Sequence, residues 1–365
     1  MPIAGTNIQL DPMEGMDKIT STEKVTSPYF SDGSTTLAAA NIVSSSLTDT
    51  NETYFFGISN NGTPTVEEFN VAFGSTNGYG SLVEANTKAE TAAIYGQYAS
   101  LLLAPMEVTG GFKISAGGSA AAASTKDTEI FVLSARRSNM KDRINKGTWT
   151  LNFTGSNTAG TVGTQVLKLT DDSVSSEATA TPVGDRYNIV SGADGTVSGS
   201  GATYKTYGWF YPYMGVLVFS AAELSASIPG KGADKNDTVV FDDNTHKGFI
   251  TPTTTDANRK TALRFINSLQ PTGASMVFRD EEDQVSAQYF CRVRSGHCNF
   301  SNSPTFVSGS LNELRATKMK GNPQTFITSV QLYNEVGEMV AVGNLSTPLK
   351  KNFSSEATIK VKLTY

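Results

Sequence analysis

The chain has 365 residues, 38% of them hydrophobic and 17% charged, and its formal net charge is −5 at pH 7. This length is sufficient for one large domain or two smaller ones with a buried core. Basic residues form only short pairs, which argues against a nucleic-acid partner, two cysteines are too few for a disulfide framework, and no apolar run is long enough to cross a bilayer.

Residues 1–27 are polar, contain prolines and show no hydrophobic period. They lack a basic region followed by an apolar core, which argues against a secretory signal and favours synthesis in a reducing cytoplasm. We predict either an N-terminal arm that becomes ordered against a neighbouring subunit or a flexible tail.

Residues 28–154 predict a β-rich subdomain with one helix. Short apolar or alternating runs bounded by turn residues are typical of strands, whereas the Gly/Ala/Ser-rich run 115–125 predicts a surface loop. The candidate strands of this segment are 54–58, 66–73, 129–135 and 148–153.

The helix of this segment is predicted at 87–103, where alanines and large apolar residues recur near helical spacing. Asn86 or Thr87 is the expected cap, with Glu90 completing a capping box, and Pro105 marks the end. The nearby Tyr95 and Tyr98 indicate ordinary core and surface packing rather than a ligand site.

Residues 155–203 form a predicted insert rich in Gly, Ser, Thr and Ala, with candidate strands at 165–170 and 186–190. Asp171 and Asp172 follow the first of these strands and predict a turn. A metal role for this pair would require further ligands that the sequence does not show.

Residues 204–365 are predicted to be a second β-rich subdomain, which begins with an aromatic and apolar run at 204–219. Its last part, 214–219, predicts a strand buried on both faces. Four aromatic residues here are the best candidates for a sugar-binding surface, but their position before an apolar strand is explained more simply by core packing. They are Tyr207, Trp209, Tyr211 and Tyr213.

Short helices are predicted at 221–227 and 259–269, separated by a hydrophilic loop at 230–258. Strands at 274–279 and 286–294 then flank four consecutive carboxylates. Such a run is a candidate calcium site, although a solvated turn is the preferred interpretation. The four residues are Asp280, Glu281, Glu282 and Asp283.

The two cysteines, Cys291 and Cys298, lie in the sequence CRVRSGHC together with His297. A zinc site would lack a fourth ligand. We predict a hairpin with Ser295 and Gly296 at its turn, and a disulfide between the two cysteines after release from the cell remains an open alternative.

The C-terminal residues predict a three-stranded antiparallel meander. Residues 325–333 alternate as a half-buried strand does, 338–345 return after the turn at 334–337, and 357–365 alternate strictly up to the end. Pro348 and the basic pair Lys350 and Lys351 interrupt the chain between the second and the third of these strands. Since a terminal strand would otherwise fray, 357–365 must be held by neighbouring strands.

Together these patterns predict a mainly β fold with a few helices, in antiparallel, sandwich-like sheets. The sequence contains no G-x-S-x-G elbow, P-loop, dinucleotide fingerprint or H-E-x-x-H motif, and its only histidines are His246 and His297. No Asp/Glu pair stands in a glycosidase motif either. We therefore predict no enzymatic activity, no catalytic residue, no cofactor and no metal.

Six segments, in the same order, resemble virion structural proteins of contractile-tailed (myovirus) bacteriophages, notably those of marine cyanobacteria. The resemblance touches most of the chain from about residue 28 onward and is weakest in the Gly/Ser/Thr-rich stretches. The segments are EEFNVAFGSTNGYGS at 67–81, TKAETAAIYGQYASLLL at 87–103, EIFVLSARRSNMKDRINKGTWTLNF at 129–153, GWFYPYMGVLVFSAAELSAS at 208–227, QYFCRVRSGHCNFSNSPTFVSG at 288–309 and the run from Asn322 to Tyr365.

This resemblance implies a tail or baseplate component of the virion, with a baseplate wedge as the expected type. Its partners would be other tail or baseplate subunits and copies of itself, with neither nucleic acid nor membrane involved, after synthesis in the cytoplasm of the bacterial host. The alternative is a receptor- or glycan-binding β protein displayed on the virion surface.

Overall fold

The computed structural model describes residues 17–45, 54–78, 89–114, 126–156, 162–198, 205–225, 265–266, 268–269, 272–308 and 313–364. These residues form a mainly β fold with antiparallel sheets, which confirms the predicted fold class. The helices are α1 (Glu90–Leu102) and α2 (Ala221–Ser225), and neither is long and apolar enough to cross a bilayer. The strands are β1 (Lys18–Pro28), β2 (Thr36–Ala38), β3 (Ile42–Ser45), β4 (Phe55–Asn60), β5 (Glu67–Ser75), β6 (Glu129–Ala135), β7 (Arg143–Ile144), β8 (Thr150–Ser156), β9 (Val162–Asp171), β10 (Thr179–Thr181), β11 (Gly184–Ala193), β12 (Thr196–Val197), β13 (Thr206–Tyr211), β14 (Val216–Ser220), β15 (Ser275–Val277), β16 (Arg279–Val293), β17 (Val307–Ser308), β18 (Glu313–Leu314), β19 (Thr325–Tyr333), β20 (Met339–Lys351) and β21 (Ala357–Thr364).

The chain divides into two compact units. The described parts of Met1–Lys24 and Asp283–Tyr365 form one unit, called here the terminal unit, and Val25–Glu282 contribute the other, called the central unit. The predicted boundaries at residues 28, 155 and 204 do not coincide with this division. Residues 18–27 of the predicted arm form most of β1, a hydrogen-bonded neighbour of β16, while 1–16 lie outside the described residues.

A large sheet dominates the central unit. Its strand order is β2-β15-β8-β9-β11-β13-β14-β6-β5-β4-β3, with β10 and β12 paired at the side of β11. The first and last strands of this order, β2 and β3, follow each other in sequence and are joined only by the 3₁₀ turn Ala39–Asn41. The sheet is therefore nearly closed on itself. The predicted insert 155–203 supplies β9 and β11 to the middle of this sheet.

Both faces of the sheet are covered at β14 and β6, which explains why these two strands are buried along almost their whole length. Along β6, Phe131 and Leu133 join one core cluster, whereas Ile130 and Val132 join a second cluster on the opposite face. All five residues of β14 are buried. The strand predicted at 129–135 and the strand predicted at 214–219 to be buried on both faces are thus confirmed. In a sheet covered on both faces, every side chain of a strand must be either apolar or hydrogen-bonded.

Helix α1 covers the second cluster. Its buried residues Thr91, Tyr95, Ala99 and Leu102 recur at helical spacing, and the Tyr95 hydroxyl donates to the Asp127 carbonyl oxygen at 2.7 Å and accepts from the Phe112 N–H at 3.1 Å. This confirms a packing role for Tyr95.

The ends of α1 differ in part from the sequence prediction. The helix begins at Glu90, with Ala89 as the N-cap and no side-chain capping bond, so the predicted position of the cap is wrong. Asn86 and Thr87 themselves lie outside the described residues. It ends at Leu102, before Pro105, as predicted. The close approach of α1 to β5 depends on Gly74, where a Cβ atom would lie 3.1 Å from the backbone of Tyr95.

Other sequence predictions fall partly outside the described residues. Helix α2 confirms the helix predicted from Ala221. The loops predicted at 115–125 and 230–258 lie outside the described residues, as does most of the helix predicted at 259–269. Within that last segment, Phe265, Ile266 and Leu269 are buried in the first cluster.

The predicted C-terminal meander is wrong in its pairing. Strand β21 does not pair with β20; it pairs antiparallel with β16, from Ser286 opposite Thr364 to Val293 opposite Ala357. Strands β19 and β20 form a separate two-stranded sheet. The expected alternation of β21 is present, with Ile359, Val361 and Leu363 less exposed than their neighbours.

Strand β20 is also longer than predicted, because it continues through Pro348 to Lys351. The pairing of β19 with β20 is irregular at this place: Ser329 lies opposite Asn344, but Ile327 lies opposite Leu349. Proline lacks an N–H, and a bulged stretch does not require that donor for the ladder. Strand β20 therefore continues past Pro348, although strands normally end at a proline.

Candidate functional site

The four consecutive carboxylates do not form a turn. They lie in β16, where Asp280 and Glu281 are opposite Ile144 and Arg143 of β7. Both carboxylates are buried, so the prediction of a solvated acidic turn is wrong. Since β7 lies about 140 residues before this part of β16 in the sequence, no local pattern indicated the pairing of the two strands.

Two ion pairs account for the middle of the acidic run. The guanidinium of Arg143 contacts Oε1 of Glu281 from Nη2 at 2.5 Å and from Nε at 2.6 Å. Glu282 pairs with Lys141 at 2.9 Å. Glu281 and Glu282 are thus both paired with basic side chains, and these ion pairs fix the position of β7 beside β16.

Asp280 has the least complete set of partners in the run. Its Oδ2 accepts from the Lys141 N–H at 3.4 Å, whereas Oδ1 has no hydrogen-bond partner among the described residues. Burial raises the pKa of Asp280 to about 7, and the hydrogen bond and charge of Lys141 oppose this rise. The chemical consequence is a pH-sensitive carboxyl enclosed by the fold.

The turn predicted at Asp171 and Asp172 begins one residue later, since Asp171 is the last residue of β9 and the Ser175 N–H donates to the Asp172 carbonyl oxygen at 2.9 Å. Both oxygens of Asp171 accept from the Gly147 N–H at 2.9 Å, and Asp172 accepts from the backbone N–H and the side-chain amide of Asn188, each at 2.9 Å. Burial raises the pKa of Asp171. Throughout the described ranges, no group of three or more His, Cys, Asp or Glu side chains is arranged to hold a metal ion.

The segment around the cysteines contains the predicted turn but not the predicted hairpin. The His297 N–H donates to the Arg294 carbonyl oxygen at 3.1 Å across Ser295 and Gly296. Cys298 then adopts a left-handed backbone conformation with φ 55° instead of entering a returning strand. Both cysteines carry free thiols, and burial raises the pKa of the Cys291 thiol.

The aromatic row proposed as a sugar-binding surface lies mostly in the core. Tyr207, Trp209 and Tyr211 are buried, and only Tyr213 is substantially exposed, at 46%. The guanidinium of Arg186 lies 4.0 Å from the centre of the Trp209 ring. These rings offer no stacking platform to a sugar.

The most unusual surface of the described residues is the two-stranded sheet of β19 and β20, called here the ribbon (Thr325–Lys351). Its strands are joined by a tight turn in which the Glu338 N–H donates to Oδ1 of Asn334 at 2.8 Å. Neither strand pairs with any other strand that the structure describes. A two-stranded hairpin without further support is only marginally stable in water.

Apolar side chains are concentrated on the ribbon and its end. Eight of the fifteen exposed large hydrophobic residues in the described part of the chain lie between 326 and 353. Tyr333 and Met339 are opposite each other on the same face as Val342, and each of the three is more than half exposed. The eight residues are Phe326, Tyr333, Val336, Met339, Val340, Val342, Leu349 and Phe353.

The base of the ribbon is anchored by a buried lysine, Lys351, whose basic pair with Lys350 was predicted only to interrupt the strands. Lys351 is 0% exposed, and its Nζ donates to the carbonyl oxygens of Ser295 and Asn352, each at 2.9 Å, and to Oδ1 of Asn299 at 3.0 Å. An ammonium group has three donors, so all of them are used. The basic pair Lys350 and Lys351 was the only feature of the local sequence that could have indicated this anchoring role.

Comparison of the chain with protein-family models, with curated proteins and with solved structures gives no match in any of the three. The ribbon is the feature that best supports a functional proposal, because Glu281 and Glu282 are held in ion pairs, Asp171 and Asp172 bond the backbone, and three of the four candidate rings are buried. It combines exposed apolar side chains, open strand edges and a fixed base.

Proposed function

We propose that the chain is a non-catalytic structural component of a bacteriophage virion, most specifically a tail or baseplate subunit of the wedge type. It acts through protein–protein interfaces with other tail or baseplate subunits and with copies of itself. The proposal is supported by the six segments that resemble myovirus virion proteins and by the ribbon.

The exposed ribbon is the observation that carries this proposal. Large contiguous apolar surface on a soluble protein marks a place where another macromolecule binds, and obligate interfaces are more apolar than the rest of a surface. The ribbon is fixed at its base by Lys351 yet exposes its apolar side chains. This arrangement is expected of a subunit whose final neighbours are absent from the isolated chain.

A receptor- or glycan-binding role was the alternative interpretation of the sequence. Stacking on a sugar requires exposed ring faces, and three of the four candidate rings are buried. No observation on the described residues favours this alternative, so we retain the structural role.

The proposal is tested on particles of the phage that encodes the chain. We expect mass spectrometry of density-purified virions to find the chain at a fixed ratio to known tail subunits, and electron microscopy of tagged particles to place it in the tail. A chain that is absent from purified virions and is recovered only from the infected-cell lysate would refute the proposal.

A variant sharpens this test. Val342→Asp places a charge on the open face of the ribbon and is expected to lower incorporation into particles, whereas Val174→Asp changes an exposed valine, 72% accessible, outside the ribbon and should leave incorporation unchanged. Equal incorporation of both variants into particles would show that the open face of the ribbon is not needed for assembly.

A further inference from the structure

We infer that the free edge of β19 pairs antiparallel with β19 of a second copy of the chain, so that two ribbons form a continuous four-stranded sheet. This inference deepens the proposed function by naming one partner of the ribbon. Three features carry it: the lack of protection on the β19 edge, the distribution of charge along the ribbon, and the symmetry of an edge paired with itself.

The edge of β19 has none of the devices that normally prevent strand pairing. Natural edge strands are protected by charged side chains, prolines or bulges. The β19 sequence TFITSVQLY contains no charged residue, no proline and no glycine. It is thus a nine-residue strand, about 30 Å long at the usual rise per residue, whose outer N–H and C=O groups have no strand partner among the described residues.

Two other edges of the same unit, those of β21 and β20, are protected against strand pairing, in contrast to that of β19. Strand β21 carries the exposed Lys360 and Lys362 along its length. Strand β20 contains Pro348 and has two irregularities in its pairing, near Leu349 and near Met339. Lysines and bulges on these two edges discourage pairing, and the β19 strand carries neither.

The charges of the ribbon favour an antiparallel second copy. The tip carries Glu335 and Glu338, the base carries the exposed Lys350, and the strands between them have no formal charge. In an antiparallel pair of ribbons, the acidic tip of one copy lies beside the basic base of the other. A parallel pair would instead bring the two acidic tips together, which costs free energy.

The two-fold symmetry of the contact explains why one unprotected edge on each copy is enough to form the dimer. Two identical strands that pair antiparallel are related by a two-fold axis, so the same patch serves both copies. Ser329, the central residue of β19, is exposed and opposite Asn344 of β20. In the proposed pair, Ser329 of each copy lies near the two-fold axis. A charged side chain at this position is therefore predicted to weaken the dimer.

The experiment measures self-association of the full chain by sedimentation velocity over a range of concentrations. We expect a monomer–dimer equilibrium that Ser329→Lys weakens by roughly tenfold or more, because like charges meet at the axis of the pair. The matched control is Thr364→Lys, which adds the same charge to an exposed position of β21 opposite Ser286 and should leave the dissociation constant unchanged.

A charge exchange tests the antiparallel direction. Glu335→Lys alone and Lys350→Glu alone should each weaken the dimer, by roughly up to fivefold for exposed charge pairs, and the double variant should restore it. Restoration supports the antiparallel pair, whereas additive weakening in the double variant overturns it. Hydrogen exchange should show β19 amides gaining protection as the dimer forms.

The outcomes separate this inference from the proposed function. A chain that stays monomeric at every concentration, or whose dimer is indifferent to Ser329→Lys, overturns the self-pairing even if the chain is found in virions, and the ribbon edge then belongs to a different subunit. A chain that dimerises through β19 but is absent from virions supports the pairing and refutes the virion role.

Discussion

The ammonium nitrogen of Lys351 lies 3.0 Å from Oδ1 of Asn299, in a site closed to solvent. Asn299 is itself held, since its amide nitrogen donates to the Ser295 carbonyl oxygen at 2.6 Å. The same carbonyl accepts from Lys351. This small network ties the end of β20 to the turn after β16 and so fixes the base of the exposed ribbon.

Replacement of the buried lysine is expected to destabilise the chain. Lys351→Met keeps most of the apolar stem but removes three charge-assisted hydrogen bonds. The carbonyl oxygens of Ser295 and Asn352 keep the bonds donated by Asn299 and Ser355, whereas Oδ1 of Asn299 loses its donor, and an unsatisfied buried acceptor costs about 1–3 kcal/mol. We expect a loss of roughly 2–4 kcal/mol in the free energy of unfolding, measured by urea denaturation. Lys350→Met, at the exposed neighbouring position, is the control and should change stability by less than about 0.5 kcal/mol.

Asp280 is expected to make stability depend on pH. Because burial raises its folded-state pKa from 3.8 to about 7, the folded chain keeps a proton that the unfolded chain releases between these values. The contribution of this group to stability is therefore complete below about pH 4 and is lost as pH rises to about 7.

The variant Asp280→Asn removes this titration. We expect it to be more stable than the unmodified chain at pH 8, by up to about 4 kcal/mol at about 1.36 kcal/mol per pKa unit, and to flatten the pH dependence between pH 4 and 7 in thermal or urea unfolding. Glu356→Gln, at an exposed carboxylate, serves as the control. An unchanged pH profile in Asp280→Asn would contradict the assignment.

The core of the central unit is expected to depend on Phe265. Its ring is fully buried and lies within 5.1–5.4 Å of the ring centres of Phe131, Phe153 and Phe219. Phe265→Ala should cost about 3–5 kcal/mol, because the side chain leaves a cavity that neighbours from three strands cannot fill. Phe353→Ala, at a ring that is 56% exposed, should cost far less in the same denaturation measurement.

The hydroxyl of Tyr95 is expected to hold α1 against the sheet. Tyr95→Phe removes the donor to Asp127 and the acceptor for Phe112 without changing the ring volume. We expect a loss of about 1–2 kcal/mol, together with faster hydrogen exchange of the Phe112 amide. The partly buried Tyr98 provides the comparison, and Tyr98→Phe should be close to neutral.

Periodicity allowed the local elements to be predicted from the sequence. Strands at 129–135, 325–333 and 357–365 and the helix ending before Pro105 follow from alternation, apolar content and helix-breaking residues, all of which act within a few residues. Mainly β architecture was predictable for the same reason. The absence of charged residues from β19 can likewise be read from its composition.

Only the tertiary structure decided which elements meet. Strand β21 pairs with β16 across about 70 residues of chain, the carboxylates of β16 meet Arg143 and Lys141 from β7 and its preceding turn, and Lys351 finds acceptors more than 50 residues away. Strand pairing and burial of charge depend on partners distant in sequence, and hydrophobic period carries no information about them. For that reason the acidic run appeared to be a turn, and the buried lysine appeared to be an interruption.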